Sequence, residues 1–457
     1  MNTKQKTTIM LLTAAITASA VFAAEKSEDK TYVDPAKAAS GTEFKQAPPL
    51  AMPKEVNEFK WGGDFRFRTV YFDNIPYAND FPGVGKEARG GANSFQRYRT
   101  RIFGEYHPNE DLYFRGRLVN EWRTSQNGSA ADGWDAFDET VIDNLFVDYK
   151  HDMFDVRLGR QDLIYGTGKL ILDGTPKDGS RTIYFDAAKV AYKGIDNTTV
   201  DFLAMYTHAK DPLALHSQDR DIVGYAGPAN PYEGVEAGGA VYIKNKTYED
   251  LPWEAYWIIK TDQQLPTDEV NTVGTRLMPK WADGTFDGNL EMAYQSTTGT
   301  DAFMVDALVN WNIMEDQKGK LGLGWYHLSE DWNPVFARWP QYSELYVYSY
   351  DTTGAGQWKN VSMPHIDFSI SPMKNYKADF LLGYMFAPEN DGLGSGHNRG
   401  LLFTWWNRFT IKEQLFSQRD KLSGHILFEM MQPGAYYDAD QRDHIATFLR
   451  FELNYAF

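Results

Sequence analysis

The sequence predicts an all-β protein, a transmembrane antiparallel β-barrel of about 18 strands preceded by an N-terminal signal peptide. Three observations support this prediction. Strand-length segments alternate between apolar and polar residues, the chain contains 27 tyrosines and 13 tryptophans, and the connections alternate between long and short. An alternation with period two gives each strand one apolar and one polar face, which a wall between lipid and water requires.

Composition argues against the other common classes of exported and membrane protein. Beyond the N-terminus the chain has no run of about 20 apolar residues, so membrane-spanning helices are not expected. A mean hydropathy of −0.51 suits a barrel, because only half of the residues in a barrel strand must be apolar. The absence of cysteine excludes disulfide scaffolds and thiolate metal sites, and a net charge of −16 argues against nucleic-acid binding.

Two segments precede the predicted barrel. Residues 1–23 read as an export signal, with a basic start, an apolar core and a small-residue cleavage site. Residues 24–57 are rich in Lys, Glu, Ala and Pro and show no periodicity, so we expect a disordered periplasmic leader rather than a plug. The barrel is assigned to residues 58–457, and the signal predicts that the mature protein lies outside the cytoplasm.

The first three predicted strands show the alternation most clearly. The strands that begin at Glu58, Ser94 and Leu112 carry aromatic or aliphatic residues on one face and arginines on the other. A register shift of one residue would place these arginines in lipid, so the register is strongly specified. Later strands are predicted near residues 140–150, 154–161, 182–192, 199–208, 236–244, 252–260, 272–281, 286–298, 300–313, 319–330, 361–369, 375–386, 399–411, 420–431 and 444–457.

The predicted connections alternate in length along the chain. Residues 73–93 form a long connection and residues 107–111 a tight turn, and the alternation continues to the longest connection, residues 331–360. Residues 296–300 are an exception, because this connection is short where a long one is expected. Transmembrane barrels have short periplasmic turns and longer external loops, whereas a soluble sandwich or propeller has no reason to segregate them. We therefore expect the cell outer membrane as the location and its lipid as a partner.

The final predicted strand, His444–Phe457, ends the chain on an aromatic residue. Counting back from Phe457, every second residue is apolar or aromatic over most of its length. This pattern is typical of bacterial outer-membrane barrels, in which the last strand closes onto the first. We expect Phe457 to be recognised by the machinery that assembles such barrels.

Arginines concentrate on the polar faces of five early strands. They are Arg66, Arg68, Arg97, Arg99, Arg101, Arg115, Arg117, Arg123 and Arg157. Because neighbouring strands lie about 4.8 Å apart, these guanidiniums would form a dense cationic patch on one wall of the lumen. Arginine binds carboxylates with two parallel hydrogen bonds, which favours a path for anions. Five acidic residues share the same face and must pair with some of these cations, so we expect both ion pairs and arginines in excess. The five are Asp64, Glu105, Glu121, Asp148 and Asp155.

A stretch after the fourth predicted strand carries a resemblance to a known family. Residues 155–166 read D-V-R-L-G-R-Q-D-L-I-Y-G, and Arg181, Phe185 and Asp186 follow. This arrangement resembles the alginate-export family of outer-membrane proteins. The resemblance implies an 18-stranded monomeric barrel whose positively charged lumen passes an anionic polyuronate. The residues that match the motif are Arg157, Arg160 and Gln161.

Arg160 and the last periplasmic connection differ from the pattern that this resemblance implies. Arg160 breaks the alternation of its strand and is therefore expected at the rim of the barrel. Exporters of this family can have a long periplasmic loop that covers the pore, whereas the last periplasmic connection here, residues 412–420, is brief.

Signatures of enzymes are absent from the sequence. It contains no His-Glu-x-x-His, no Gly-x-Ser-x-Gly and no Walker loop, so we predict no catalytic residue, cofactor or metal site. The predicted function is an outer-membrane channel for an anionic polysaccharide, with an arginine-lined lumen. One alternative is an anion-selective porin that imports small acidic nutrients. Another, less favoured, is a secreted polysaccharide-binding protein or hydrolase.

Overall fold

The computed structural model describes residues 57–75, 93–125, 134–172, 184–207, 212–217, 236–262, 269–337, 342–345, 359–390, 392 and 394–457. The predicted signal peptide and all of the predicted leader except Asn57 lie outside these residues. The side chain of Arg123 and the whole of Arg181 also lie outside them.

The described residues form a closed antiparallel barrel of 18 strands, each of which pairs with its neighbours in the sequence. The strands are β1 Glu58–Asp73, β2 Asn93–His107, β3 Leu112–Ser125, β4 Trp134–Lys150, β5 Phe154–Gln161, β6 Phe185–Ile195, β7 Thr198–Thr207, β8 Glu236–Asn245, β9 Trp253–Asp262, β10 Val270–Leu277, β11 Phe286–Ser296, β12 Asp301–Ile313, β13 Gly319–Leu328, β14 Val361–Met373, β15 Tyr376–Phe386, β16 Asn398–Glu413, β17 Lys421–Pro433 and β18 Ala446–Ala456. In addition, the short strand Ala214–Ser217 pairs with the strand Trp134–Lys150, and Ile164–Tyr165 pairs with Ile171–Leu172 in a separate two-stranded sheet. The predicted fold class and strand number are confirmed.

The barrel closes between β1 and β18, as the C-terminal pattern predicts. The register runs from Asp64 opposite Ala456 to Asp73 opposite Thr447. Beyond it, Gly63 and Phe457 exchange two backbone hydrogen bonds of 3.0 Å each. A Cβ atom on Gly63 would lie 2.4 Å from the carbonyl oxygen of Arg101 and 2.8 Å from the Phe457 ring, so this close approach requires glycine.

Burial follows the predicted alternation of the strands. On β1, Trp61 and Phe65 are exposed on the outside, whereas Arg66 and Arg68 are buried on the inside. The same division holds on β2 and β3, where Ile102 and Phe114 are exposed and Arg99 is buried. The outer face therefore offers lipid a surface rich in aromatic and aliphatic side chains.

Connections at the two ends of the barrel differ in length. At the end that carries both termini, all connections but one have at most seven residues: 108–111, 151–153, 196–197, 246–252, 314–318, 374–375 and 414–420. The exception is 278–285, which contains the short strand Lys280–Trp281. The opposite end carries the long connections, including 162–184 and 329–360, and also the short exception at 297–300. We assign the first end to the periplasm and the second to the exterior.

Regular helix is confined to two short pieces among the described residues, the 3₁₀ helix Glu315–Gln317 and the α-helix Ala439–Arg442. No helix in the described part of the chain is long and apolar enough to span a membrane.

Two prolines account for differences from the predicted strands. The strand predicted over residues 272–281 is interrupted at Pro279, which has no N–H to donate to the ladder. The strand predicted to end at residue 369 continues to Met373, with a shift of register that spans Pro372. Proline is tolerated there because the irregular pairing does not need its missing donor.

The interior contains two external segments that fold back into the barrel. We call residues 162–172 the first inward segment, and residues 329–337 with 342–345 the second inward segment. Leu163, Ile171 and Phe336 are almost completely buried, and an apolar core therefore lies inside the strands. The segments pair with each other, since the Phe336 N–H donates to the Leu170 carbonyl oxygen at 2.9 Å.

Candidate functional site in the barrel lumen

One side of the lumen carries the predicted arginines. We call this surface the basic wall, formed by the inward faces of β18 and β1 to β5. Alternation places every second residue of these strands inside, so arginines two residues apart in the sequence form a column. The described members of the wall are Arg66, Arg68, Arg97, Arg99, Arg101, Arg115, Arg117, Arg157 and Arg450.

At the seam of the barrel, three guanidiniums share two carboxylates. Arg68 donates from Nε and Nη2 to Oε2 of Glu452 at 2.8 and 2.6 Å. Arg66 lies 3.9 Å from Glu452 and 3.7 Å from Glu121. Arg97 approaches Glu121 at 3.1 Å. Each carboxylate is therefore surrounded by more than one positive charge.

Next to this group, two further arginines share a single carboxylate. Arg99 donates to Oδ1 of Asp64 at 3.2 Å, and Arg101 donates to Oδ2 at 2.6 Å. Among the described residues, five guanidiniums of this region thus share three carboxylates. The sequence predicted both the ion pairs and the excess of arginine.

Nearer the periplasmic end, the arginines pair one to one. Arg157 donates from Nε and Nη2 to both oxygens of Asp148 at 2.6 Å, and Arg115 pairs with Glu105. The Arg157 guanidinium lies 4.2 Å from the centroid of the Phe146 ring. Its side chain is 32% exposed, which makes Arg157 the most exposed arginine among these ion pairs of the wall.

Arg117 connects the basic wall to the first inward segment. Its Nε donates to Asp143 at 2.8 Å, and its Nη2 donates to Asp162 at 3.0 Å. Asp162 is the first residue after β5, so this arginine fixes the point at which the chain leaves the wall.

The other two motif residues, Arg160 and Gln161, lie at the external end of β5. Arg160 donates to both oxygens of Asp186 at 2.9 and 3.0 Å, and its side chain is only 1% exposed. Gln161 donates to the carbonyl oxygens of Gly159 and Ala187 at 3.0 Å. Both side chains therefore hold the β5–β6 pairing at the rim rather than extending the column of arginines.

Gly159, between the two arginines of the motif, has a φ of +119°. A Cβ atom there would lie 2.3 Å from the carbonyl oxygen of Leu145. The close approach of β4 and β5 at this point therefore requires glycine, and the pairing of β5 with both neighbours continues through Arg160 without a shift of register.

The opposite side of the lumen has a different chemistry. We call it the tyrosine–carboxylate wall, formed by the inward faces of β7 to β12. The Tyr242 hydroxyl donates to Glu254 at 2.6 Å, and the Tyr256 hydroxyl donates to Glu291 at 2.9 Å. Arg276 donates to Glu254 at 3.3 Å. Here carboxylates are satisfied largely by hydroxyl groups.

The first inward segment is fastened to this second wall at three points. Tyr165 donates to Asp201 at 2.8 Å, and Thr167 donates to Glu291 at 3.1 Å. Lys169, at the end of this row, lies 3.2 Å from Oδ2 of Asp306. Burial and the Asp201 carboxylate raise the pKa of Tyr165 well above its usual value, so the phenol remains a donor.

The second inward segment uses the same wall. The Tyr342 hydroxyl donates to Oδ1 of Asp306 at 2.7 Å, and Lys260 donates to the carbonyl oxygen of Val335 at 2.8 Å. Asp306 therefore binds both segments: its Oδ1 accepts from Tyr342 of the second segment, and its Oδ2 lies next to Lys169 of the first segment. Burial and the Asp306 carboxylate raise the pKa of Tyr342 well above its usual value.

The second inward segment also reaches the seam side of the barrel. Glu429 on β17 accepts from the Ser343 hydroxyl at 2.7 Å and from the N–H groups of Glu344 and Leu345 at 3.0 and 2.7 Å. The Glu344 carboxylate lies 3.2 Å from Arg450 on β18. This segment thus spans the lumen from one wall to the other.

The inward segments were not foreseen from the sequence, and neither were the residues that fasten them. The sequence pattern does not single out Asp306, Glu429 or Lys169. Each of them lies in a strand or connection whose polar and apolar residues follow an ordinary pattern. One signal was present: Leu170-Ile171-Leu172 is an apolar run inside a connection predicted to lie in external water. Such a run is better satisfied by folding back into the barrel.

The described residues contain no group of three or more His, Cys, Asp or Glu that could hold a metal ion. The lumen offers instead a basic surface along one side and two fastened segments that occupy its interior.

Comparisons with known proteins agree with this architecture. No protein-family model matches the chain, and no curated protein matches it. OpdQ of Pseudomonas aeruginosa is 11% identical with a TM-score of 0.56, and the match covers 87% of this chain and 97% of that one. OpdK of the same organism, solved with vanillate, is 10% identical with a TM-score of 0.55 and coverages of 87% and 98%. A BenF-like porin from Pseudomonas fluorescens is 10% identical with a TM-score of 0.54 and the same coverages.

At these identities the likeness concerns the fold. It bears out the β-barrel fold that the resemblance noted in the sequence implies, whereas membership of the alginate-export family stays a prediction. The 18 strands, the apolar outer surface and the solved porins lead to one statement: this chain is a closed β-barrel with the fold of the outer-membrane porins.

Proposed function

We propose that the protein is a non-enzymatic channel that lets small organic anions cross the outer membrane along the basic wall. The observation that carries this proposal is the sharing of three carboxylates by five guanidiniums next to the seam. Guanidiniums gathered in this way in a narrow, low-dielectric passage attract anions and repel cations. The overall charge of −16 does not oppose this, because screening in salt weakens charges beyond about 10 Å.

The arginines also suggest how an anion would move. A carboxylate on the solute can replace a wall carboxylate at one guanidinium and then at the next, because strong charge-assisted hydrogen bonds are available at each step. Movement requires that no single site holds the anion too tightly. The internal ion pairs serve this requirement, since Asp64, Glu121 and Glu452 compete with the solute for the same donors.

The size of the solute follows from the inward segments. Both segments lie inside the barrel and are attached to the tyrosine–carboxylate wall at several points and to the basic wall through Arg117 and Arg450. The remaining passage is therefore narrow and is expected to follow the part of the basic wall that the segments leave uncovered. A small solute fits this arrangement better than a polymer. OpdK, which shares the fold, was solved with vanillate, a small carboxylate, and this supports the proposal.

A polyuronate remains a second candidate, supported by the sequence motif around Arg157 and Gln161. Arg157 is partly exposed and could contact a passing chain of carboxylates. In this case the inward segments would have to move aside while the polymer passes.

Uptake into proteoliposomes separates the two candidates. The small-anion channel should admit a monocarboxylate faster than a neutral sugar of similar size, and faster still than a hexameric uronate. Equal entry of the neutral sugar would contradict an anion channel. Faster entry of the uronate oligomer would favour the polymer.

We further propose that the channel works as a monomer and that Phe457 engages the assembly machinery. Closure of the sheet within one chain supports the first, because the lumen needs no second copy. Cross-linking in the membrane would test the first, and assembly of a Phe457→Ala variant would test the second.

A further inference from the structure

The turn between β16 and β17, residues 414–420, carries the most exposed large apolar side chain among the described residues. Phe416 is 82% exposed, and its neighbour Leu415 is also exposed. The turn Pro108-Asn109-Glu110-Asp111 has no large apolar side chain, whereas Met153 and Met314 in two other periplasmic turns are 50% and 55% exposed. The turn at Phe416 differs from these by its aromatic ring and by the exposed leucine beside it.

The turn has a fixed conformation. The Asp420 carboxylate accepts hydrogen bonds from the N–H groups of Leu415, Phe416 and Ser417 at 2.6, 2.7 and 2.9 Å. Burial opposes ionisation, but these donors and the Tyr455 hydroxyl hold the pKa of Asp420 below its usual value. The carboxylate therefore stays charged near neutral pH, and Phe416 is presented by an ordered backbone.

The turn bends toward the lipid side of the barrel. The Tyr455 hydroxyl donates to Asp420 at 2.8 Å, and the Phe416 and Tyr455 ring centroids lie 5.9 Å apart. Tyr455 pairs in register with Phe65, which is exposed on the outer face. Ring contacts continue from Tyr455 to Phe457 at 5.9 Å and from Phe457 to Trp61 at 6.2 Å. Phe416 thus extends the lipid-facing aromatic surface below the last strand.

Three basic residues lie close to the apolar pair in the sequence. Lys412, Arg419 and Lys421 are exposed, and Glu413 is the exposed acidic residue among them, because Asp420 is buried against the turn. Apolar side chains flanked by lysine and arginine are the combination that binds the surface of an anionic bilayer.

We propose that this turn is a membrane-interface foot that docks on anionic phospholipid of the inner leaflet. Phe416 and Leu415 enter the boundary between headgroups and acyl chains, and the three cations contact lipid phosphates. The continuity with the lipid-facing surface and the charge complementarity both favour phospholipid over a periplasmic protein. This docking is independent of what the channel transports.

The absence of cysteine allows the foot to be probed at single positions. A fluorophore attached to the cysteine of Gln418→Cys reports how close the foot lies to lipid. A fluorophore attached to the cysteine of Glu110→Cys reports the same for the turn between β2 and β3 and is the matched control. Both proteins are placed in nanodiscs of phosphatidylcholine, with or without phosphatidylglycerol, that contain a lipid with a spin label near its headgroup. Heat-modifiable migration in gels confirms that each variant is folded.

If the foot docks on phospholipid, the spin-labelled lipid should quench the fluorophore more strongly at position 418 than at position 110. The quenching at position 418 should increase further when phosphatidylglycerol is present. Phe416→Ser should lower the quenching at 418 to the level of the control. Replacing Lys412, Arg419 and Lys421 by Gln should remove the dependence on phosphatidylglycerol, since each cation near an anionic surface strengthens binding about fivefold. Equal quenching at both positions, or quenching indifferent to Phe416→Ser, would overturn the proposal. Loss of quenching on addition of periplasmic proteins would assign the turn to a protein partner instead.

Discussion

The two walls of the lumen contain similar numbers of acidic side chains but use them differently. On the basic wall, carboxylates such as Asp64 are shared between arginines that outnumber them. On the tyrosine–carboxylate wall, carboxylates such as Asp306 accept from hydroxyls and a lysine that belong to the inward segments. The first arrangement gathers guanidiniums along one surface, which suits the transport of anions. The second uses carboxylates to attach the inward segments that narrow the passage, and Arg117 and Arg450 of the basic wall complete this attachment.

Among the substitutions considered, removing Asp306 should have the largest effect on how the tyrosine–carboxylate wall holds the inward segments. In Asp306→Ala, Lys169 loses its carboxylate and Tyr342 loses its acceptor, and breaking a buried ion pair in this way costs about 3–5 kcal/mol. The bonds of Tyr165, Thr167 and Lys260 remain. We therefore expect both inward segments to loosen at this point and the single-channel conductance to rise, with frequent transitions between levels.

Asp287→Ala provides the matched control for that experiment. Asp287 lies on β11, next to the strand of Asp306, and pairs with Lys320 at 2.8 Å and with Asn310 at 2.8 Å, and neither belongs to an inward segment. Its conductance should stay close to that of the wild type. If both variants conduct alike, Asp306 does not hold the passage narrow.

A smaller effect is expected from removing one charge on each wall. Arg101→Gln leaves Asp64 paired with Arg99 and lowers the positive charge of the basic wall by one. Two unit charges about 10 Å apart interact by roughly 0.4 kcal/mol in water, with opposite sign for an anion and a cation, so the ratio of anion to cation permeability should fall about fourfold. Lys320→Gln removes the same charge from the other side and should change the ratio less. An equal fall in both would mean that net charge matters and its position does not.

The mildest test removes a single hydroxyl. Tyr342→Phe keeps the ring against Lys169 but loses the hydrogen bond to Asp306, which is worth about 0.5–1.5 kcal/mol. Brief openings to the conductance of Asp306→Ala should appear, with the wild-type level still dominant. Recordings without such openings would show that Lys169 alone keeps the segments in place.

The sequence predicted the wall of the barrel well, because one strong physical signal specifies it. On β1, Phe65 and Arg66 must face opposite media, and only one register satisfies both. The closure at Phe457 and the columns of arginine follow from the same alternation. Period-two patterning is local, so a single sequence is sufficient to read it.

The attachments inside the lumen could not be read in this way. Glu452 pairs with Arg68 across 384 positions in the sequence, and Lys169 reaches Asp306 from a connection without periodicity. The position of Arg160 at the rim was anticipated from its broken alternation. Its partner Asp186 appeared only in the folded barrel, because pairing between β5 and β6 depends on the length of the segment between them.

The reversal potential of the purified channel in a planar bilayer, under a gradient of salt, tests the central claim most directly. The wild type should be anion-selective although the whole protein is acidic. Arg97→Gln, Arg99→Gln and Arg101→Gln together should move the reversal potential toward zero while the barrel stays folded, since substitutions in the lumen tune selectivity more than stability. A cation-selective wild type, or a reversal potential that the triple replacement does not move, would contradict the role assigned to the basic wall.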